Sequence, residues 1–572
     1  MTAEIDNAIR REFVAGPIRQ PDTVWEVGLR LTLRSDTHIG AASPATPHAA
    51  AGDVDQLVDR DPQTGAPRLR ATTLTGLLRH HLADKLGREN GEDPQGVNRL
   101  FGRIERRETP GRAEDRPVMS VLDVDDAGGT LPPAGDADGA RTSEGPAVRT
   151  ANRVDPRSGA VEAGKLWQME VLPAGTSFVV TLRLQLCGDH DEVELLALLT
   201  RAVEGLVEEG PGVRLGARAA RGLGAVRAEA FSARRHDLRT PQGWADYYAR
   251  TWHERWEEAK GSLAGYSDGL QGAITAALAE EGRAGYEARL AELPADQRRR
   301  AELHLTLEVG ERPTEAFLGN GSGAGEDGPP RPGVILLGDL PRGAARDTDA
   351  DRAHRMRPVV AEDGAVRDAP MFGDTALFAL VKRIGRRLAQ DLRGDDLPRH
   401  HPWLAGWFGS EPETETPDRA PVTSRVTLRQ APRIEGGSAL STTRTTIDAL
   451  FADTVDGRLF TDRAWAGGTS TFVLDVREPD DAVCALLALI VRELHTVPFD
   501  AIGGGTGVGH GRVTATDAQL VRFGPDRAEP DTLDLLAVLR DPGHERRAEV
   551  EGWLAELEHA VQRDNDTTEA VA

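Results

Sequence analysis

The chain has 572 residues, 39% hydrophobic and 5% aromatic, with 62 glycines and 35 prolines, a size and turn content that suit several ordered domains joined by loops rather than one core. Its two cysteines, Cys187 and Cys484, exclude a disulfide framework and a zinc knuckle, and with no apolar run of about 18 residues and a charged start the sequence reads as soluble and cytoplasmic, with no membrane partner. The net charge of −23 excludes a generally basic nucleic-acid coat, yet Arg214, Arg218 and Arg221 sit beside glycines, so a local basic groove on an acidic body stays open.

The first element is the strand LRLTLRSDTHIG (29–40), which ends on His38 and a glycine. Asp53, Asp55 and Asp59 then precede the turn signal Asp61-Pro62-Gln63-Thr64-Gly65. A carboxylate on such a loop either is simply solvated or positions a divalent ion and takes a ribose 2′-OH proton. TTLTGLLRHHL (72–82) has helical periodicity and leads to the Phe101-Gly102 step. After a long excursion, GAVEAGKL (159–166) copies phosphate-loop spacing up to its lysine; Leu166 replaces the required hydroxyl and LWQMEV reads as strand, so that motif is rejected. ELLALLTR (194–201) is an amphipathic helix, and GARAARGLGAV (216–226) is a glycine-rich turn. Glycines there let backbone N–H groups approach a polyanion while arginines add charged hydrogen bonds. A purely structural glycine hairpin is the competing reading. Residues 241–298 are helical by pattern, and Trp244, Tyr248, Trp252 and Trp256 read as the packed side of a connecting helix.

The same order recurs in the second half. LHLTLEVGERPTEAFLG (303–319) matches the first strand, DTALFALVKRIGRRL (374–388) the helix, and Phe408-Gly409 the aromatic–glycine step. The strands of 154–180 match 447–474, and ALLALIVR (485–492) matches the second helix. Gly216, Gly222, Gly224 and Val226 return as Gly503, Gly509, Gly511 and Val513, all shifted by 287 positions. One unit written twice is the expectation. Each half reads as an α+β domain of ferredoxin-like or RRM-like order with a large hairpin insertion. The expected divisions are 1–235, a helical linker 236–298, a second domain 299–522 and a C-terminal helical extension 523–572. The second turn, GGGTGVGHGRV (503–513), fails G-x-G-x-x-G as the first does, and both run into strands, which counts against a dinucleotide site.

HIG (38–40), VDQLVDRDPQTGAPRLRATTLTGLLR (54–79), RLFG (99–102) and the glycine turn together resemble the RAMP superfamily, and most closely the backbone subunit of type III CRISPR effectors. The resemblance covers most of 25–230 and, more faintly, 300–520. It implies a tandem of two such units in antiviral defence, binding guide RNA, complementary target RNA and other effector subunits. It also implies hairpin thumbs at about 117–165 and 424–460, and a loop aspartate that cuts target RNA with Mg or Mn. Aligned through the D-P-x-T-G turn, that aspartate is Asp55, the candidate catalytic and metal-binding residue. The RNA-contact candidates are His38, Thr72, Thr73, Arg79, Arg153, Gly216, Arg218, Arg221 and Gly222 in the first half, and Lys382, Arg444, Gly503, Gly504, Gly505 and Gly509 in the second. In the second half the aspartate position falls near Met356, with Asp351 the only nearby substitute, so that half is expected to bind RNA without cutting it. Three alternatives stay open: a non-catalytic guide-binding subunit, a guide-processing endoribonuclease using His38, and an unrelated duplicated nucleotide- or sugar-binding protein.

Overall fold

The computed structural model describes residues 21–562 apart from 42–53, 89–90, 110–111, 134–144, 155–160, 189, 208–209, 312–330, 340–349, 362, 395–400, 411–420, 430–431, 497–499 and 528. Two hydrophobic cores divide it, one drawing on 25–290 and the other on 301–561. Each core lies under an antiparallel sheet built the same way. In the first lobe the central strand Thr23–Leu33 pairs with Val226–Asp237 on one side and Ser177–Leu186 on the other, with Leu122–Val124 and Ala127–Thr130 beyond. In the second, Arg300–Glu311 pairs with Val513–Phe523 and Thr469–Arg477, with Val426–Leu428 beyond. Both central strands carry a bulge against the last strand, at Arg30/Leu31 and at Thr306/Leu307.

The helices follow the same plan. Asp191 caps Glu192–Val203 and Asp480 caps Asp481–His495, each accepting from the backbone N–H three residues on. Helices Ala71–Leu86 and Asp374–Arg393 lead to the short helices Gln95–Phe101 and Pro402–Phe408, which stop at Gly102 and Gly409, both at φ 74°.

The expected aromatic stripe is not a packed helix side. Thr251 starts a new helix with its own capping box, so Pro241–Tyr248 and Trp252–Gly261 are separate. Trp244 and Tyr248 are half exposed, while Arg183 stacks on Trp252 and Lys260 on Trp256. The buried residue of this segment is Arg255, which bonds Glu26 on the outer face of the first sheet. Helices Leu270–Glu280 and Tyr286–Glu292 contribute Ile274, Leu278 and Tyr286 to the first core, and Trp553, Leu557 and Val561 of the last helix enter the second.

The excursions differ from their expected bounds. Residues 117–165 are not one hairpin: Arg103–Thr109 pairs with Arg112–Val118, 122–130 returns to the sheet, and the long hairpin is Ala147–Val154 with Val161–Val171. In the second lobe the hairpin is Ser438–Ile447 with Thr454–Ala466, while 426–428 belongs to the main sheet.

The lobes touch along the first glycine turn and hairpin. Leu428 donates to the Ala220 carbonyl, and Arg221 bridges Leu428. Arg149 on the first hairpin is buried and donates to Asp36 at 2.7 and 3.0 Å and to Asp374 at the start of a second-lobe helix. Burial alone would discharge Arg149, but Asp374 and Asp36 outweigh it and hold the guanidinium charged.

Candidate nucleic-acid interface

Both glycine turns have one backbone design. Leu215 donates to Gly224 O at 2.9 Å, and Ile502 donates to Gly511 O at 2.9 Å. Ala217 donates to His38 O at 2.9 Å, and Gly504 donates to Leu336 O at 2.8 Å. Left-handed φ angles fall at Gly216, Arg218, Gly222 and Gly224 (77, 63, 83 and 79°) and at Gly503, Gly505, Gly509 and Gly511 (85, 78, 86 and 82°). A Cβ on Gly224 or Gly511 would stand 2.1 Å from the carbonyl oxygen of Leu215 or Ile502, so both positions require glycine. Arg218 holds the same angle with a full side chain and stacks at 3.7 Å on the Trp167 ring of the first hairpin.

These bonds correct one alignment. The strand-end glycine equivalent to Gly40 is Gly338, not Gly319, which lies outside the described residues: Gly40 bridges Val58, and Gly338 pairs with His354. HIG therefore corresponds to Leu336-Leu337-Gly338, and His38 has an apolar counterpart. His38 itself is buried, and its Nδ1 lies 2.7 Å from the Glu170 carbonyl, which fixes the orientation of the ring.

A groove of about 1220 Å³ runs between the lobes. The first lobe lines it with the hairpin residues Arg149–Asn152 and Trp167, and with Arg218 and Leu223; the second lobe lines it with Leu336–Gly338, the helix start Thr375 and Ala376, and Ala501–Gly504 of its glycine turn. Six arginines (149, 218, 352, 355, 383 and 512) and two carboxylates (Glu493 and Asp500) face it, a local reversal of the chain's overall sign. Arg352 and Arg444 share the buried Asp462; burial would raise that carboxyl, but hydrogen bonds from Arg352 and Arg444 hold it below the usual carboxylate range. His510 also lines the groove, its ring pushed down by desolvation and the nearby Arg444. The size suits a chain-like ligand rather than a small molecule.

The candidates drawn from sequence divide sharply. Arg218, Gly503 and Gly504 line the groove; Gly505 and Gly509 lie on the same open turn, and Gly216 is exposed at the foot of its own. Arg221 and Gly222 sit on the flank that meets Leu428, and Gly222 is buried. Arg79 donates to Asp93, Asn98 and Gly102 O, and Lys382 donates to Gly409 O at 3.0 Å. Those two are equivalent braces between a helix and an aromatic–glycine step. Arg214 is different again: its Nη1 is sealed from solvent at the lobe junction near Asp475, and burial pulls the guanidinium down to about 10. Thr72 is exposed and Thr73 half-buried at a helix start that does not reach the groove. Their counterparts by the Arg79–Lys382 shift are Thr375 and Ala376, which do. Arg153 lies in the first hairpin, its side chain outside the described residues. Arg149, Arg352, Arg355, Arg383 and Arg512 were not legible in the sequence; only the meeting of the first hairpin with the second lobe selects them.

Asp55 is exposed. Its N–H donates to Gln168 O at 3.1 Å and its Oδ2 accepts from Gln168 N–H at 2.8 Å, next to the groove residues Trp167 and Met169. Among the described residues no group of three or more His, Cys, Asp or Glu could hold a metal ion. Asp59, also singled out, is buried and ion-paired to Arg68 and Arg70.

The first lobe's sheet, its glycine turn and the hairpin between them now coincide with a known family. Residues 30–227 match the RAMP superfamily. A RAMP domain implies a CRISPR-associated, nucleic-acid-binding function. No curated protein matches the chain. No helix among the described residues is long and apolar enough to cross a membrane.

Proposed function

We propose that this chain is a double backbone subunit of a type III CRISPR ribonucleoprotein, two ferredoxin-like RAMP units in tandem that hold guide RNA and a complementary RNA. The observation that carries the reading is the arginine-lined groove in which the first hairpin and both glycine turns converge. Its backbone N–H groups and guanidinium forks suit phosphates, and Trp167 under Arg218 offers a flat apolar wall beside them.

The first lobe would also cut the complementary strand at Asp55. Oδ2 is held by Gln168, which fixes the carboxylate while the second oxygen points to no partner among the described residues. One carboxylate supplies one ligand, so a Mg or Mn ion bound there would complete its shell with RNA phosphate and water, and would supply charge neutralisation at the scissile phosphate.

The test is purification of the assembled complex on this chain, with and without Arg218→Glu and Arg512→Glu together. Uniform short RNA should accompany the unaltered chain and be lost from the double variant at moderate salt. Retention of the same RNA by the variant would reject the groove as its seat.

A further inference from the structure

The two sheets repeat each other closely enough to compare what covers the same face in each. Glu26 on the first central strand faces Arg183 on its neighbour, as Glu302 faces Asp475, and both glutamates lie on the side of the sheet away from the core. In the second lobe that face carries the first lobe. A Cβ on Gly210 would stand 3.7 Å from Glu302 Oε1, Arg214 Nη1 is sealed in beside Asp475, and Leu428 N–H donates to Ala220 O at 2.9 Å. In the first lobe the same face carries the linker. Arg255 of helix Trp252–Gly261 donates to Glu26 at 2.9 Å, and Arg183 stacks on Trp252 at 4.3 Å. Tyr247 of the preceding helix packs 4.0 Å from the Arg255 guanidinium, and Ser232 Oγ donates to Ala259 O at 3.4 Å. The linker thus sits on the first lobe where the first lobe sits on the second. Arg255 and Glu26 are both buried, so lifting the helix would strand two charges.

The opposite end of the chain is bare. Shifted by 287 positions, Arg214, Ala220 and Arg221 become Ala501, Gly507 and Val508. Ala220 and Arg221 are half-buried against the second lobe, whereas Val508 is 58% exposed and a Cβ on Gly507 would meet open space among the described residues. We propose that the chain joins other units of its α+β kind at one end only: helix Trp252–Gly261 caps the first lobe against a preceding unit, and the second glycine turn seats its open flank on the uncapped sheet face of a different chain. The lobe junction is the template for that contact, with a strand edge like Val426–Leu428 meeting the turn. A second copy is excluded as the partner, because its own face is covered by its linker. The contact is apolar and neutral, since Ala501 and Val508 replace the two arginines of the junction, and the exposed Leu450 and Phe451 of the second hairpin extend its apolar character. The inference rests on the tandem-unit reading above and does not depend on where RNA is bound or cut.

Site-specific photocrosslinking tests both ends. The assembled complex is prepared with p-benzoylphenylalanine at position 508, on the open flank, or at position 244, on the exposed side of the linker helices. It is irradiated, and the crosslinked peptides are identified by mass spectrometry. Position 508 should crosslink to a strand in an α+β unit of a different subunit, and position 244 to no such unit. A crosslink from position 508 to the first lobe of another copy, or from position 244 to an α+β unit, overturns the cap. If position 508 reaches only RNA, a protein of another fold or nothing while other subunits co-purify, the open end is rejected and the tandem reading stands. If no other subunit accompanies the chain, its reading as part of a larger assembly falls, and this inference with it.

Discussion

The two long hairpins are built alike and embedded differently. The first lies against the second lobe through Arg149, Asp36 and Asp374, and its stem forms one wall of the groove. The second hairpin stands in solvent, with Leu450 and Phe451 at its tip 82% and 77% exposed. The position facing Asp462 on that hairpin, where the first has Arg149 facing Met169, is Thr442. The contrast teaches that the repeated unit fixes the backbone, whereas a side chain such as Arg149 adds a tie between lobes that Thr442 at the matching position does not make.

The sharpest way to break this contrast is Arg149→Met. It removes the cation that hydrogen-bonds both buried carboxylates, leaving Asp36 only Arg357 at 3.6 Å and Asp374 only the field of Arg355, and a loss of about 3 kcal/mol is expected by chemical denaturation, against less than about 0.5 kcal/mol for Thr442→Val. A smaller effect should be equal in the two lobes. Gly224→Ala and Gly511→Ala each place a methyl group 2.1 Å from a carbonyl oxygen at a left-handed angle, so each should cost about 2–4 kcal/mol. Unequal losses would show that the turns are not equivalent supports.

The lobes also differ at a buried site, where the second has His354 and the first Val58. Burial pushes the His354 ring down to about 4, so the unfolded chain takes up the proton first as pH falls. Stability is therefore intact above about pH 6.5 and drains as pH drops toward 4. His354→Val should remove about 2 kcal/mol of the loss between about pH 7 and pH 5, measured as a flatter denaturation profile. The smallest effect is expected for Arg218→Gly. Relief of the left-handed angle offsets the lost contact with Trp167, so stability should move by less than about 1 kcal/mol while RNA retention weakens.

Much of this was legible from residues alone. The 287-position shift of the glycine turns holds down to individual hydrogen bonds, because left-handed angles leave glycine as the ready choice and so keep the pattern visible. Arg79 and Lys382 were both singled out, but that each braces a helix against an aromatic–glycine step was not foreseen, since sequence does not tell which way a cation on a helix turns. The position equivalent to Asp55 falls on Asp351, whose N–H and Oδ2 make with Thr461 the pair that Asp55 makes with Gln168, and not near Met356, because the D-P-x-T-G turn exists only in the first half. What survives in the second is a strand register, which depends on backbone pairing and leaves no residue signature. The other five groove arginines beside Arg218 escaped for a related reason: they are brought together by contact between lobes, not by nearness in the chain.

Arg149 ties the end of one sheet, the stem of a hairpin and the start of a helix in the other lobe into a single ionic knot. Sliding one lobe past the other would strand charges in a dry interior, so the lobes move as a unit or come apart.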